Sequence, residues 1–391
     1  MGRRVRLFAV TGDPLLAEAD RAASAADFNR AIELLLEAAQ SEGTDPSLWL
    51  RIAAMQRAKG EPAAALDAVH RALALAPLDF TALLMRASLL QRMSDPGAGE
   101  AWGHALAQRP EGELPPQLAS VVAEGERHHW AWLADREARM KSAMAGAEGK
   151  ANAAERKRIE RFRSNVLRRT RPYHSEPTHF HFPELTEREF HPRELFSWLP
   201  EVEAASSQIT EELQAVMDTE RAELVPYIQY EEHQPLDQWR ELNRNPDWTA
   251  IHLIKNGEQI ETNARHCPQT MALLDRVPQP KMKGAGPNAM FSLLAPHTHI
   301  PPHVGVSNAR LVCHLPLIVP EHCWFRVGAE TREWNPGHAF LFDDTIEHEA
   351  MNDSDSLRVV FIFDVWHPDL SQAERDAVAA LIGSEGGAEG L

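Results

Sequence analysis

The sequence is short of three things. Cysteine is the first: only Cys267, Cys313 and Cys323 occur among 391 residues, with no CxxC spacing. That argues against a disulfide framework or a thiolate zinc site and fits a reducing compartment. Long apolar runs are the second. No segment reaches the roughly 18 consecutive apolar residues that a membrane span needs. The N-terminal stretch MGRRVRLFAVTGDPLLAEAD has neither a proper h-region nor a small-residue cleavage site, so a mature, cytoplasmic protein is expected. Basic charge is the third: Lys+Arg 40 against Asp+Glu 57 leave a net charge of −17. Such a balance argues against general affinity for nucleic acid or for an anionic membrane, though not against a local basic patch.

What is present suffices for two folded domains. Hydrophobic residues make up 43% of the chain, ample for a core, and the length is about twice that of a common single domain. Histidine is abundant, with 19 copies, many of them after residue 290.

Residues 13–112 are rich in Ala and Leu and repeat with a period of about 34. In Asp45–Pro77, Trp49, Ile52 and Ala53 fall on one helix, Gly60 in a turn, and Ala65, Val69 and Ala72 on a second helix. Ala19, Ala31, Leu35 and Ala38 occupy equivalent places one period earlier, and Ala98, Trp102 and Ala105 one period later. The small residues let paired helices approach closely. The pattern resembles about three tetratricopeptide repeats. Such an array either presents a surface for a peptide or partner protein, or packs as a plain helical scaffold. Residues 113–172 continue as a charged helical extension, with Lys150, Arg156, Lys157, Arg158, Arg161, Arg163, Arg168, Arg169 and Arg171 interleaved by Glu155 and Glu160. A solvated helix is expected there, with a nucleic-acid patch as the alternative that the overall acidity disfavours. In the boundary segment that follows, His179 and His181 read as linker histidines rather than a ligand pair.

Periodicity changes in residues 173–383. After one expected helix, Leu195–Met217, short β-rich runs appear at 250–254, 289–294, 309–319, 323–327, 338–342 and 357–365, separated by turns such as Asn335-Pro336-Gly337. Ser371–Glu374 reads as a capping box that opens a closing helix over 372–382. Residues 384–391 read as a disordered tail. Alternation along the strands exposes the chemistry. Arg310, Val312 and His314 share one face of their strand. In 357–365 only Arg358 and Asp364 are not apolar. A buried arginine requires an anion, which is either Asp364 or a carboxylate ligand held in a fork. His303 and His348 flank these strands, and neutral imidazoles with open positions suit an oxygen-activating iron.

Residues 289–370, through PPHVGVSNARLVCHLPLIVP and WNPGHAFLFDDTIEHEAMNDSDSLRVVFIFDVWHPDL, closely resemble the aspartyl/asparaginyl β-hydroxylases, iron(II)- and 2-oxoglutarate-dependent oxygenases. Some members of that family carry tetratricopeptide repeats before the oxygenase domain. The resemblance implies an α+β chain whose C-terminal domain is a double-stranded β-helix, a jelly-roll or cupin-type barrel. It implies that His303 and His348 bind Fe(II), with Gly305 where related oxygenases carry a carboxylate ligand. It also implies that Arg358 and Ser292 hold the distal carboxylate of 2-oxoglutarate, that His314 lies beside the chelating carboxylate, and that Arg310 meets the substrate. Asp344, with Asp343 and Glu347, either orients His348, contacts substrate, or is simply a loop acid. Val312 departs from the family, which has a second cosubstrate-binding arginine there. The expected reaction uses O2 to hydroxylate the β-carbon of an Asp or Asn residue in a peptide or protein. The alternatives are the same cofactors acting on a free amino acid, lipid or small metabolite, and a non-catalytic repeat-based adaptor.

Overall fold

A computed structural model describes residues 14–41, 45–217, 225–229, 238, 240 and 243–384; the tail expected to be disordered lies outside these apart from Ser384. The chain divides into two units between Arg169 and Thr170.

The first unit is helical: α1 (Pro14–Ser24), α2 (Phe28–Ser41), α3 (Pro46–Ala58), α4 (Pro62–Leu75), α5 (Phe80–Arg92), α6 (Ala98–Leu106), α7 (Pro116–Glu148) and α8 (Ala153–Val166). Helices α1 to α6 pack successively, and the repeat is visible in their starts, residues 14, 46 and 80 for one set and 28, 62 and 98 for the other. Local chemistry sets these starts. Pro46 and Pro62 occupy first-turn positions, where the missing N–H costs nothing. Asp45 and Asp79 accept from the backbone N–H groups of Ser47 and Ala82. Gly60, at φ +83°, makes the turn that a side chain would strain. Ala31, Ala38, Ala53, Ala65 and Ala72 are fully buried between helices. Gly125 on α7 lets Trp102 lie flat on that helix, since a Cβ there would come within 2.3 Å of the indole.

The second unit begins with a 3-10 turn (Arg193–Leu195) and continues with α9 (Leu199–Ala204), α10 (Ser206–Met217), β1 (Val225–Pro226), β2 (Trp248–Lys255), β3 (Glu258–Gln259), α11 (Glu261–Ala264), α12 (Pro268–Leu274), β4 (Ala289–Leu294) and β5 (Thr298–His303). It ends with β6 (Arg310–Ile318), β7 (Cys323–Val327), β8 (Glu330–Glu333), β9 (Phe340–Phe342), β10 (His348–Asn352), β11 (Arg358–Trp366) and α13 (Gln372–Ser384). The single helix expected over 195–217 is therefore three pieces. Pro200 in the first turn of α9 explains the restart, because proline has no N–H to continue a preceding helix.

Two antiparallel sheets result, one ordered β1-β2-β4-β11-β6-β9 with β3 on β2, the other β5-β10-β7-β8. Among the described residues they do not join into one closed barrel. Side-chain alternation gives the large sheet two different faces. Phe291, Leu311, Cys313, Phe361 and Phe363 point to one side, into a core completed by Leu199, Leu213 and Leu274. Burying each such aromatic or aliphatic side chain stabilises by about 1.5–3 kcal/mol. Met290, Val312, Val360 and Ile362 point to the other side, where Ile300, Phe325, Val327 and Ala350 of the small sheet meet them. The polar residues of this second face cannot enter a continuous core, and a cavity opens among them.

Candidate active site

The cavity has a volume of about 400 Å³, and its lining includes Ser292, His303, Arg310, His314, Asp344, His348 and Arg358. All seven residues singled out in the sequence thus share one space, together with Gly305 and Val312.

His303 and His348 sit directly opposite each other on β5 and β10. Their ring centroids are 4.0 Å apart. The Nδ1 of His303 lies 2.8 Å from the Pro301 carbonyl, and that of His348 lies 3.1 Å from the Ile346 carbonyl. A carbonyl can only accept, so each Nδ1 carries the proton and the lone pair resides on Nε2. Burial pushes both imidazoles towards the neutral form, His348 to about 4, and His303 well below its usual range with further help from His348. The Asp344 backbone also hydrogen-bonds the His348 ring, whereas the carboxylates of Asp343, Asp344 and Glu347 are engaged elsewhere. Asp343 accepts from Thr345, Asp344 pairs with Arg310, and Glu347 pairs with Arg171 and Arg326.

Arg358 is 1% exposed and is the only fully buried arginine among the described residues that faces no carboxylate. Its Nη1 lies 3.5 Å from Ser292 Oγ, and its guanidinium lies over the Trp334 ring at 4.4 Å. Burial pulls its pKa down to about 9. Asp364, expected as its cheapest partner, pairs with Arg310 instead: Arg310 Nη1 meets Asp364 at 3.2 Å and Nη2 meets Asp344 at 3.1 Å. Burial opposes the charge of Arg310, but the two carboxylates outweigh it and hold the guanidinium ionised. Its terminal nitrogens are already engaged, so a substrate carboxylate would have to compete for them.

Gly305 has a steric reason to be glycine. A Cβ there would lie 2.2 Å from Asp344 Oδ2. Arg358 Nε, Trp334 Nε1, His314 Nδ1, Asp344 Oδ1, Arg310 Nε and His252 Nδ1 are all buried without a hydrogen-bond partner among the described residues. All six residues line the cavity. Orphaned buried polar groups are costly, and their concentration in one place marks a space built for a polar ligand.

Sequence reasoning missed the aromatic frame. Trp248 donates its indole N–H to Ser292 Oγ at 3.1 Å and stacks on Tyr227 with centroids 4.0 Å apart. That leaves the Ser292 hydroxyl proton available to a ligand. Trp334 was visible only as a tryptophan beside a turn, with no sign that it lies under a guanidinium. Gln238, which accepts from Val304 N–H and donates to the Val304 carbonyl next to His303, left no pattern at all.

Residues 203–368 match the family described as Aspartyl/Asparaginyl beta-hydroxylase. The human aspartyl/asparaginyl beta-hydroxylase is 37% identical over 141 residues, 36% of this chain and 18% of that protein. The Xenopus tropicalis aspartate beta-hydroxylase domain-containing protein 2 is 36% identical over 37% of this chain and 41% of that protein. The ornithine lipid ester-linked acyl 2-hydroxylase of Rhizobium tropici is 32% identical over 176 residues, 44% of this chain and 58% of that protein. The chain thus spans less than half the length of the first two relatives. Among solved structures, the Sgt2 tetratricopeptide domain of Aspergillus fumigatus aligns with 37% of this chain at 19% identity, covering 90% of that domain with a TM-score of 0.27. Residues 203–368, within the second unit, are thus similar to the aspartyl/asparaginyl β-hydroxylase family.

Proposed function

We propose that this protein is an Fe(II)/2-oxoglutarate-dependent dioxygenase that hydroxylates the β-carbon of an Asp or Asn residue in a peptide or protein, with the helical repeats recruiting that polypeptide. The observation that carries the proposal is the pairing of two neutral, Nδ1-anchored imidazoles with a buried arginine that lacks a counter-ion, all in one cavity. The donor set fits the metal. Hydrogen bonds at Nδ1 fix the ring orientations and leave Nε2 as the ligand atom in both His303 and His348, the usual outer-shell arrangement for metal-binding histidine. Among the described residues no third His, Cys, Asp or Glu converges with them, which suits an iron that needs open positions. With Fe(II) bound, 2-oxoglutarate would supply two of the four electrons that reduce O2 and the substrate C–H bond the other two, leaving succinate, CO2 and a hydroxylated carbon with the iron returned to Fe(II).

The protein's own residues do the rest. Arg358 and the Ser292 hydroxyl grip the distal carboxylate, and Trp248 fixes the Ser292 oxygen so that its proton points to the ligand. His314, ringed by Phe325, Trp334, Phe340 and Phe342, stands beside the inner carboxylate. With Val312 in place of an arginine, His314 would be the side chain left to hold that carboxylate. The aromatic walls keep water from the reacting carbon.

The Rhizobium relative, matched over the largest share of its own length among the three relatives described above, supports a second reading in which the same cofactors act on a lipid acyl chain. The test is common to both. The full chain is loaded anaerobically with Fe(II), 2-oxoglutarate and a panel of Asp- and Asn-containing peptides and hydroxylatable lipids, and air is then admitted. A product heavier by one oxygen, formed with one succinate, is expected. Absence of both across the panel would remove the oxygenase reading.

A further inference from the structure

Helix α8 reverses the charge of the chain. Between Lys150 and Arg169 there are eight basic residues and two acids, an excess of six positive charges in a protein of net charge −17. The acids are already engaged: Glu155 reciprocally caps the helix with Asn152, and Glu160 lies 3.9 Å from Arg163. Two of the cations are structural, since Arg163 pairs with Glu148 and Arg169 with Glu137, both at 2.7 Å. Arg156, Arg158 and Arg168 are exposed and make no ion pair among the described residues.

Ile159, Phe162 and Val166 recur at i, i+3 and i+7 and so form one strip along the helix. Phe162 is 64% exposed and Val166 36% exposed. At about 100° per residue, Arg156 and Arg158 fall on opposite sides of that strip. An open aromatic ridge flanked by guanidinium groups has two needs, anions at its sides and an apolar boundary at its crest. Nucleic-acid phosphates would meet only the first. An anionic bilayer surface meets both, with headgroups for the arginines and the acyl boundary for Phe162. The acids elsewhere oppose such contact only weakly, because charges beyond about 10 Å are screened at 0.1 M salt.

We infer that α8 is a salt-sensitive adhesion face for anionic lipid bilayers. This surface serves whichever substrate the cavity takes. The full chain is sedimented with vesicles of phosphatidylcholine alone and of phosphatidylcholine with about one-third phosphatidylglycerol. Binding to the anionic vesicles only is expected, released at high salt. Combining Arg156→Gln, Arg158→Gln and Arg168→Gln should weaken partitioning by about 100-fold, at roughly 1 kcal/mol per charge. Phe162→Ser, an exposed position, should weaken it several-fold without altering the melting temperature. No binding at low salt, equal binding to neutral vesicles, or indifference to Phe162→Ser would each overturn the inference. So would tighter capture of an acidic peptide or duplex RNA than of the anionic vesicles.

Discussion

Arg358→Met should make the empty protein more stable while abolishing its response to a diacid. Arg358 is 1% exposed, its nearest oxygen is Ser292 Oγ at 3.5 Å, and its Nε has no partner. Burial lowers its pKa from 12.5 to about 9, a gap of about 3.5, or at most about 5 kcal/mol at 1.36 kcal/mol per pKa unit. The cation–π contact with Trp334 and the real polarity of a protein interior reduce this to about 2 kcal/mol. The sign follows from linkage: a base with a lowered folded pKa destabilises the fold wherever it stays charged. The penalty is full at pH 7 and fades as pH rises through 9. Methionine matches the length and removes the charge. Scanning calorimetry should show a rise of about 4–8 °C for the second unit, at 2–4 °C per kcal/mol. The parent should gain about 2.7 kcal/mol from 2-oxoglutarate at one hundred times its dissociation constant, and the variant nothing. A variant that melts below the parent, or still responds to the diacid, would refute the claim that this charge awaits a ligand.

His191 is buried edge-on against His367 with centroids 5.1 Å apart, and burial, then His367, lower its pKa to about 3. It stays neutral in the fold while the unfolded chain protonates near 6.5, so its stability contribution is full above pH 6.5 and is lost as pH falls towards 3. At pH 5 the loss is about 2 kcal/mol, and His191→Phe should flatten the pH dependence of denaturant midpoints over this range. In the helical unit, Gly125→Ala should cost about 1–3 kcal/mol through overpacking against Trp102. Gly146→Ala on the same helix meets nothing within 4 Å and should be neutral or stabilising by up to about 1 kcal/mol; equal melting temperatures would contradict the packing described. Gly305→Asp should not supply a third iron ligand, because its side chain must first displace Asp344. Iron titration followed by visible absorption should show weaker, not tighter, uptake.

The central strands were legible because they are buried and strictly alternating. Phe361 and Phe363 against Arg358 and Asp364 announce the two faces of β11, and Leu311 and Cys313 against Arg310 and His314 announce those of β6. The small sheet was less legible. β5 contains Pro301 and Pro302 and reads as a loop, yet it lies at a sheet edge, where a missing N–H is tolerated. β8, the polar run Glu330–Glu333, is the opposite edge. The partner of Arg358 was misread for a geometric reason. Arg358 and Asp364 share a face but stand six residues apart on one strand, about 20 Å at 3.3 Å per residue. Register supplies the correct pairing. Trp366 of β11 lies opposite Arg310 of β6, so Asp364 is the diagonal neighbour of that arginine.

That register divides the charges of the cavity into two poles. Around Arg310, two carboxylates face one guanidinium, and Asp344 keeps a buried oxygen without a donor. Around Arg358 a single cation stands among aromatic rings and a hydroxyl, with no acid in reach. A ligand that places an anion at the second pole lifts the larger penalty, because an unpaired buried ion is costlier than an imperfectly shared triad. β6 and β11 carry two arginines and the single acid Asp364, and Asp344 comes from the segment after β9. Pairing both acids with Arg310 withholds neutralisation from Arg358. The fold keeps one positive charge in waiting, in the same cavity as two imidazoles whose protons are already committed to the backbone.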